Sequence, residues 1–164
     1  MKIRTVRDSD LGAITEIYNH FIQESTATFE EQPLVTNDLS QRVQETLASG
    51  FPWIVLEVEG DVIGYAYAKP WHTRSAYRFT AESTIYMASN TGGKGYGRKL
   101  YQELMSLLEA KGIKNVMGVI TQPNPASVHL HESIGFRKAG EFKNIGFKFG
   151  RQLSVGYWQL EMGC

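Results

Sequence analysis

The sequence contains a single cysteine, Cys164, which is also its last residue. One cysteine excludes an intrachain disulfide framework and any metal site built from several cysteines. We therefore expect a chain suited to a reducing compartment, the cytoplasm.

Long apolar runs are missing as well. A membrane-spanning helix needs about 18 uninterrupted apolar residues, and no segment of this sequence approaches that length. The charged opening MKIRTVRDSD is not followed by the apolar stretch of a secretion signal. We expect neither export nor membrane anchoring.

Net charge is absent too, because 17 Lys and Arg residues balance 17 Asp and Glu residues. Such a chain has no overall field that would draw it to nucleic acid or to an anionic membrane. A small molecule, met by a local patch of charge, is the expected partner. With 164 residues, 42% of them hydrophobic, the chain is long enough for one domain over residues 1–164 with a substantial core.

What is present is an alternation of helix and strand patterns. Apolar residues at helical spacing predict helices after Asp8–Asp10, after Asn37 or Asp38, and over residues 97–111. Two runs around the turn Gly60-Asp61 predict a hairpin, and Asn124-Pro125 indicates the start of another helix. The order predicts a mixed α/β fold with strands in KIRTV, WIVLEVE, VIGYAYA, TAESTIYMA, NVMGVIT and QLSVGYWQLEM.

The stretch TGGKGYGR, residues 91–98, places four glycines directly before the third predicted helix. A helix N-terminus has free backbone N–H groups and a partial positive charge, so this loop favours a ligand with phosphates. A Walker loop is disfavoured, because Ala88 and Gly95 stand where it needs Gly and Ser or Thr. A Rossmann fingerprint fails too, since its third glycine would fall on Arg98 or Leu100. A flexible glycine turn without a ligand remains the alternative.

A second motif, NPASVHLHESIGF, begins at Asn124. Together, the glycine loop and this second motif resemble the GCN5-related N-acetyltransferase (GNAT) superfamily. In its members, a Q/R-x-x-G-x-G/A loop precedes an N-x-x-S/A-x-x-L-[Y/H]-x-x-x-G-F helix. Within it, YAYAKPWHTRSAYRFTAESTIY and GFKFGRQLSVGYWQLE are most similar to the phosphinothricin and methionine sulfoximine/sulfone acetyltransferases. The resemblance runs from Lys2 to Glu161, with Gly92 departing from the usual Arg or Gln of the loop. It implies the GNAT fold, a twisted, mostly antiparallel central sheet with splayed strands flanked by helices.

The resemblance also implies acetyl-coenzyme A as the co-substrate, and no metal. The backbone of the strand STIYM, at Ile85, Tyr86 and Met87, would hold the pantetheine arm. Asn124 and Ser133 would reach the cofactor from the later helix. The glycine loop would take the pyrophosphate through Gly93, Lys94, Gly95, Tyr96, Gly97 and Arg98.

Acetyl transfer needs a neutral amine placed against the thioester, and therefore a group that removes a proton. By the resemblance Glu82 is that general base; a surface glutamate on an edge strand is the alternative. Strand alternation places Glu82 and Thr84 on one face and Ser83 on the other. His131 stands where many members carry a Tyr thought to protonate the leaving thiolate. A packed, hydrogen-bonded His131 remains the alternative, because a thiol of pKa about 8.5 is already a fair leaving group.

The loop PWHTRSAYR is the acceptor site that the resemblance implies. A guanidinium holds a carboxylate through two hydrogen bonds, so Arg74 is expected to anchor the carboxylate of an amino-acid-like acceptor. Phe29 matches a family position that lines the acceptor pocket. Relatives are homodimers, so the resemblance implies a homodimer, with an exposed aromatic tail around Trp158 available for assembly. The acceptor pocket would be completed by His72, Ser75, Ala76 and Tyr77.

The sequence thus predicts an enzyme that moves the acetyl group of acetyl-CoA to the free amine of phosphinothricin, methionine sulfoximine or methionine sulfone. Such a reaction would detoxify these compounds and give herbicide resistance. Two alternatives stay open: the acceptor is an arylalkylamine, a polyamine or a peptide N-terminus, or the chain is a non-catalytic sensor of coenzyme A. Arg74 argues against a cationic acceptor, and Glu82 argues against the sensor.

Overall fold

A computed structural model describes residues 1–163; Cys164 lies outside the described residues. The helices are α1 (Leu11–Glu24), α2 (Thr36–Ala48), α3 (Tyr96–Ala110) and α4 (Pro125–Ser133). The strands are β1 (Lys2–Thr5), β2 (Trp53–Val58), β3 (Asp61–Pro70), β4 (Thr80–Met87), β5 (Asn115–Thr121), β6 (Arg137–Lys148) and β7 (Arg151–Glu161). Across residues 1–163, no helix is long and apolar enough to cross a membrane.

All the strands belong to one sheet, in the order β1-β2-β3-β4-β5-β7-β6. Every neighbouring pair is antiparallel except β4 and β5, which run parallel. A parallel pair needs a crossover connection, and α3 supplies it by packing against β2, β3 and β4. The glycine loop therefore lies where the chain leaves β4 and enters α3.

Helices cover both faces of the sheet. The apolar residues of α1 fall three or four positions apart, so one side of that helix is buried with α2 against Trp53, Val55 and Tyr65. On the opposite face, Leu100, Leu104 and Leu108 of α3 are fully buried against β2, β3 and β5. The sheet therefore lies between two hydrophobic cores.

The sheet splits at its centre. The parallel register of β4 with β5 runs from Thr80 and Asn115 only to Ser83 and Gly118. By contrast, β4 stays paired with β3 as far as Met87, and β5 stays paired with β7 as far as Thr121. One edge of β4 therefore loses its ladder partner after Ser83, within the described chain.

Two sequence expectations differ from this fold. The segment from Arg137 to Lys148, for which we predicted no strand, forms β6 at the edge of the sheet. The expected exposed aromatic tail around Trp158 is wrong, because Trp158 is 2% exposed and belongs to the core beside α3. Its indole N–H donates to Glu132 Oε1 at 3.1 Å, so its polar edge is satisfied internally.

Candidate active site

A cavity of about 460 Å³ occupies the gap between the diverging ends of β4 and β5. Residues of β4, β5 and α4 form one wall of this cavity. Residues of α1 and of the loop after α1 form the opposite wall. Of the residues proposed from the sequence, the cavity is lined by Phe29, Glu82, Ile85, Tyr86, Met87, Asn124 and His131. Three distant stretches of sequence therefore meet in one site.

Alternation along β4 gives the cavity two chemically different sides. Ser83 faces α3, where its Oγ lies 2.5 Å from the Tyr101 hydroxyl. Tyr86 faces α1, where its ring packs against the rings of Tyr18 and Phe21 at 5.3 and 4.9 Å. Because side chains two apart share a face, Glu82 lies on the α1 side.

Glu82 is partly buried, with 24% of its side chain exposed, and it faces an ammonium. The Nζ atom of Lys69 lies 3.7 Å from Glu82 Oε2, across the antiparallel register that pairs the two residues. Among the described residues lining the cavity, Glu82 is the one carboxylate and Lys69 the one ammonium. The sequence analysis did not predict a role for Lys69. Antiparallel pairing of β3 with β4 is the signal that places Lys69 opposite Glu82.

His131 is 4% exposed and both of its ring nitrogens are hydrogen-bonded. Its Nδ1–H donates to the Ser127 carbonyl at 2.7 Å, and the Tyr101 hydroxyl donates to its Nε2 at 2.9 Å. Burial lowers the pKa of the imidazole, although the hydrogen bond to Ser127 works in the opposite direction. His131 is therefore neutral near pH 7, and its one N–H is already donated to α4.

The position of His131 depends on the absence of a side chain at Gly118. A Cβ at residue 118 would lie 2.6 Å from two atoms of the imidazole. Gly118 is also the last residue of β5 that pairs with β4. The histidine ring therefore packs against the backbone of β5 at the residue where the sheet splits.

The glycine loop forms an open cradle at the N-terminus of α3. Gly93 and Gly95 have φ of +78° and +72°, a conformation that glycine adopts without strain, and Gly95 is the N-cap of the helix. A Cβ at either position would meet no atom within 4 Å, so the space in front of the loop is free for a ligand. Free N–H groups of the first helical turn point into such a space. These donors suit a pyrophosphate, the ligand that we expect for this loop.

The cradle adjoins the cavity through Gly97. A Cβ on Gly97 would lie 3.6 Å from Met87 and 3.7 Å from Leu130, both of which line the cavity. An elongated ligand can therefore run from the loop along the unpaired edge of β4. The residues present thus fit an elongated ligand with phosphates, such as acetyl-CoA.

Asn124 and Ser133 differ in how they relate to the cavity. Asn124 lines it and caps α4, because its Oδ1 accepts from the Ser127 N–H at 3.2 Å. Its amide nitrogen is the group that can turn to a ligand. Ser133 does not line the cavity, and its hydroxyl donates to the Leu130 carbonyl at 2.8 Å.

The residues proposed for the acceptor pocket divide into two groups. Phe29 lines the cavity directly. The other proposed residues lie outside the cavity, on the exposed loop between Pro70 and Thr80. This loop follows the end of the cavity that Lys69 and Glu82 line. Arg74 precedes a single 3-10 turn, and the rings of His72 and Tyr77 pack at 5.0 Å. Within this loop, the structure leaves the following exposed: His72, Arg74, Ser75, Ala76 and Tyr77.

No metal cluster accompanies these groups. Over residues 1–163, no set of three or more His, Cys, Asp or Glu side chains lies close enough to hold a metal ion.

Known proteins share both the sequence and the arrangement. Residues 3–154 match the family model described as an acetyltransferase (GNAT) domain. The chain is 40% identical over 161 residues to a phosphinothricin N-acetyltransferase of Streptomyces viridochromogenes, covering 98% of this chain and 87% of that protein. It is 33% identical over 162 residues to an L-methionine sulfoximine/L-methionine sulfone acetyltransferase of Salmonella typhimurium, covering 99% and 95%.

A solved structure gives the same result in three dimensions. The crystal structure of a GNAT superfamily phosphinothricin acetyltransferase from Sinorhizobium meliloti, in complex with acetyl-CoA, matches with a TM-score of 0.95 and 37% identity. The match covers 99% of this chain and 88% of that one. The superfamily and the fold predicted from the two motifs are confirmed. The chain therefore belongs to the GNAT family and is an acetyl-CoA-dependent N-acetyltransferase.

Proposed function

We propose that this enzyme acetylates the free amine of small amino-acid-like acceptors, with phosphinothricin, methionine sulfoximine and methionine sulfone as its test substrates. The observation that carries the proposal is the pairing of one carboxylate with one ammonium in a cavity of about 460 Å³. A zwitterionic acceptor presents the complementary charges. The names of the relatives from Streptomyces viridochromogenes and Salmonella typhimurium support the same acceptor class.

Cofactor binding is assigned to the chain's backbone. When bound, acetyl-CoA supplies an activated acetyl group as a thioester. The unpaired edge of β4 at Ile85, Tyr86 and Met87 holds the pantetheine arm, and Asn124 contacts the cofactor from α4. Ser133 is kept as a cofactor candidate, although its hydroxyl is engaged within α4. The pyrophosphate binds at the cradle formed by Gly93, Lys94, Gly95, Tyr96, Gly97 and Arg98.

Glu82 acts as the general base. An amine with a proton has no lone pair to attack with, so the carboxylate removes that proton while the acceptor lies on the α1 side of the cavity. Tyr86 and Phe29 line this side and exclude water around the reacting nitrogen. The proton leaves Glu82 for solvent through the exposed part of its side chain.

His131 contributes to the active site by forming part of the cavity wall. Its single N–H is donated to Ser127 and its other nitrogen accepts from Tyr101, so a proton for the leaving thiolate would require breaking the Ser127 bond. A thiol with a pKa of about 8.5 departs without an acid near neutral pH. We therefore favour the packed role over the acid role that the sequence also suggested.

Recognition of the acceptor carboxylate is assigned to Arg74, with Lys69 as the cation inside the cavity. The pocket is completed at the loop by His72, Ser75, Ala76 and Tyr77. Arg74 is exposed and its guanidinium is free to meet a carboxylate with two hydrogen bonds, whereas Lys69 is held near Glu82. Substitution of Arg74 and of Lys69 therefore distinguishes which of the two cations binds the acceptor carboxylate.

The test compares methionine sulfone with 3-(methylsulfonyl)propylamine, the same amine without its carboxylate. Arg74→Ala should raise KM for methionine sulfone about 10-fold or more, because a charged hydrogen bond is lost, and leave KM for the propylamine unchanged. Arg78→Ala removes the same charge from the same loop and is the control. A rise in KM with Lys69→Ala alone would move the anchor to Lys69. Equal effects on both amines would reject a carboxylate anchor.

A further inference from the structure

A fully buried lysine lies at the end of β6, away from the residues assigned above. Lys148 is 1% exposed, yet no carboxylate of the described chain lies within 4.0 Å of its ammonium. Its Nζ donates instead to two backbone carbonyls, Ser25 at 2.7 Å and Thr28 at 2.8 Å. Burying an ammonium costs several kcal/mol unless hydrogen bonds offset it, so a lysine in this position needs an explanation.

Both carbonyls belong to the loop between α1 and α2, which forms the acceptor side of the cavity. Ala27, Thr28 and Phe29 of this loop line the cavity directly. The loop has no helix or strand of its own, so its shape depends on contacts with neighbours. Lys148 reaches it from 123 and 120 residues further along the sequence.

A second contact joins the same strand to the same loop. The ring of Phe29 lies directly over Gly146, two residues before Lys148, and a Cβ at Gly146 would overlap the ring. The other end of the loop is held separately, where Asn19 exchanges hydrogen bonds of 2.8 Å with the backbone of Leu34. Between Ser25 and Phe29, the ammonium therefore ties the loop backbone to β6, while the Thr28 hydroxyl is hydrogen-bonded to Tyr18 of α1.

We propose that Lys148 is a positioning residue for the acceptor: its ammonium fixes the loop carbonyls of Ser25 and Thr28, and so holds Phe29 and Thr28 against the cavity. This inference rests on the proposed function, since it treats the α1 side as the acceptor side. Cofactor residues lie on β4, α3 and α4. Tyr86 contacts Thr28 of the loop with its side chain, whereas its backbone is the part assigned to the cofactor. Loss of the ammonium therefore affects the acceptor and spares the cofactor.

The first test is Lys148→Met, which keeps the length of the side chain and removes its donors. KM for methionine sulfone should rise about 10- to 100-fold, as expected when a binding wall is misplaced, while KM for acetyl-CoA stays within about 2-fold. Lys143→Met removes an exposed lysine from the same strand and should behave as the wild type. Unchanged KM values for both substrates, or equal rises in both, would overturn the proposal.

A second variant covers the case in which Lys148→Met does not fold. Gly146→Ala keeps the buried ammonium but pushes the Phe29 ring, and it should give the same selective rise in KM for the acceptor. Gly140→Ala adds a methyl group to the same strand where no atom lies within 4 Å, and it is the matched control. If Gly146→Ala binds acceptor normally, the contact of β6 with the loop has no role in acceptor binding.

A measurement without any acceptor separates this proposal from the proposed function. Hydrogen exchange of the amides in residues 25–31 should be faster in Lys148→Met than in the wild type, with exchange in β4 and α3 unchanged. Exchange that is the same in both proteins would overturn the positioning role even if no acceptor were found. Faster exchange with no turnover of any amino acid would leave the loop contact standing and reject the proposed function.

Discussion

In the proposed mechanism, Glu82 is the residue that removes the proton from the acceptor amine. Its replacement in Glu82→Gln keeps the shape and removes the base, so kcat should fall by a factor of about 10² to 10⁴ near neutral pH. The deficit should narrow as pH rises, because more of the free amine is already neutral in solution. Steady-state rates from pH 6 to 9 measure this, with Glu103→Gln, an exposed glutamate of α3, as the control. Undiminished turnover at pH 7 would remove Glu82 as the base.

The burial of His131 leads to a prediction about how the stability of the fold depends on pH. Burial lowers its pKa, so below about pH 6.5 the unfolded chain binds a proton at this residue before the folded chain does. The stabilisation from neutral, buried His131 is therefore complete above about pH 6.5 and is lost as pH falls below it. As pH falls below about 6.5, the free energy of unfolding should therefore fall more steeply in the wild type than in His131→Gln.

Urea unfolding at several pH values checks this prediction. His129→Gln, an exposed histidine two residues earlier, should keep the pH dependence of the wild type. If His131→Gln also keeps it, the histidine is not the group that titrates. A large loss of kcat in His131→Gln with unchanged binding of acetyl-CoA would instead favour the acid role.

The residues of the site differed in how far the sequence could predict them. Glu82, Asn124 and His131 stand at motif positions, and all three line the cavity. Lys69 was missed because its partner is on the neighbouring strand, and Lys148 because its partners lie in the loop after α1, 120 or more residues earlier in the sequence. A lysine usually indicates a solvated surface, and only the tertiary fold distinguishes a buried one.

Among the elements, the glycine loop gives the sharpest prediction. Gly95→Ala forces a side chain into positive φ at the N-cap of α3, a strain of about 1 kcal/mol, and relief of that strain moves the N–H groups. KM for acetyl-CoA should rise about 5-fold or more, with KM for the acceptor little changed. Gly92→Ala, at ordinary φ and in open space, should have a smaller effect. Equal KM values in both variants would show that the loop conformation does not matter for binding.

The sequence predicted most elements but not β6 or the place where the sheet splits. Strand β6 is exposed along nearly all of its length, so it has no alternation of buried and exposed residues to detect. Its register with β7 also shifts twice, which breaks any regular pattern. The β4–β5 ladder ends at Ser83 and Gly118, although both strands continue beyond these residues, so no local pattern marks the place.

At the level of the whole molecule, we propose a homodimer formed through the β6–β7 hairpin. The sequence implied a dimer but assigned it to the region of Trp158, which is buried. Strand β6 and the turn after it present side chains that are 55–62% exposed, namely Phe142, Ile145, Phe147 and Phe149. Large apolar side chains exposed in this number on one hairpin are typical of a contact with another protein.

Light scattering during gel filtration tests this assembly. Phe147→Asp places a charge in the proposed interface and should shift the molar mass from that of a dimer to that of one chain. Lys143→Asp, on the same strand, tests whether a new negative charge alone has this effect. A monomeric wild type, or a dimer that survives Phe147→Asp, would reject the hairpin interface.

Release of free thiol from acetyl-CoA tests the central claim most directly. The purified protein is given phosphinothricin, methionine sulfoximine, methionine sulfone, tryptamine or spermidine, each against a blank without acceptor. We predict thiol release with the three amino acids, matched mole for mole by N-acetylated product, and none above the blank with the two amines. Release with tryptamine or spermidine alone would contradict the amino-acid pocket, and no release with any acceptor would contradict catalysis at this site.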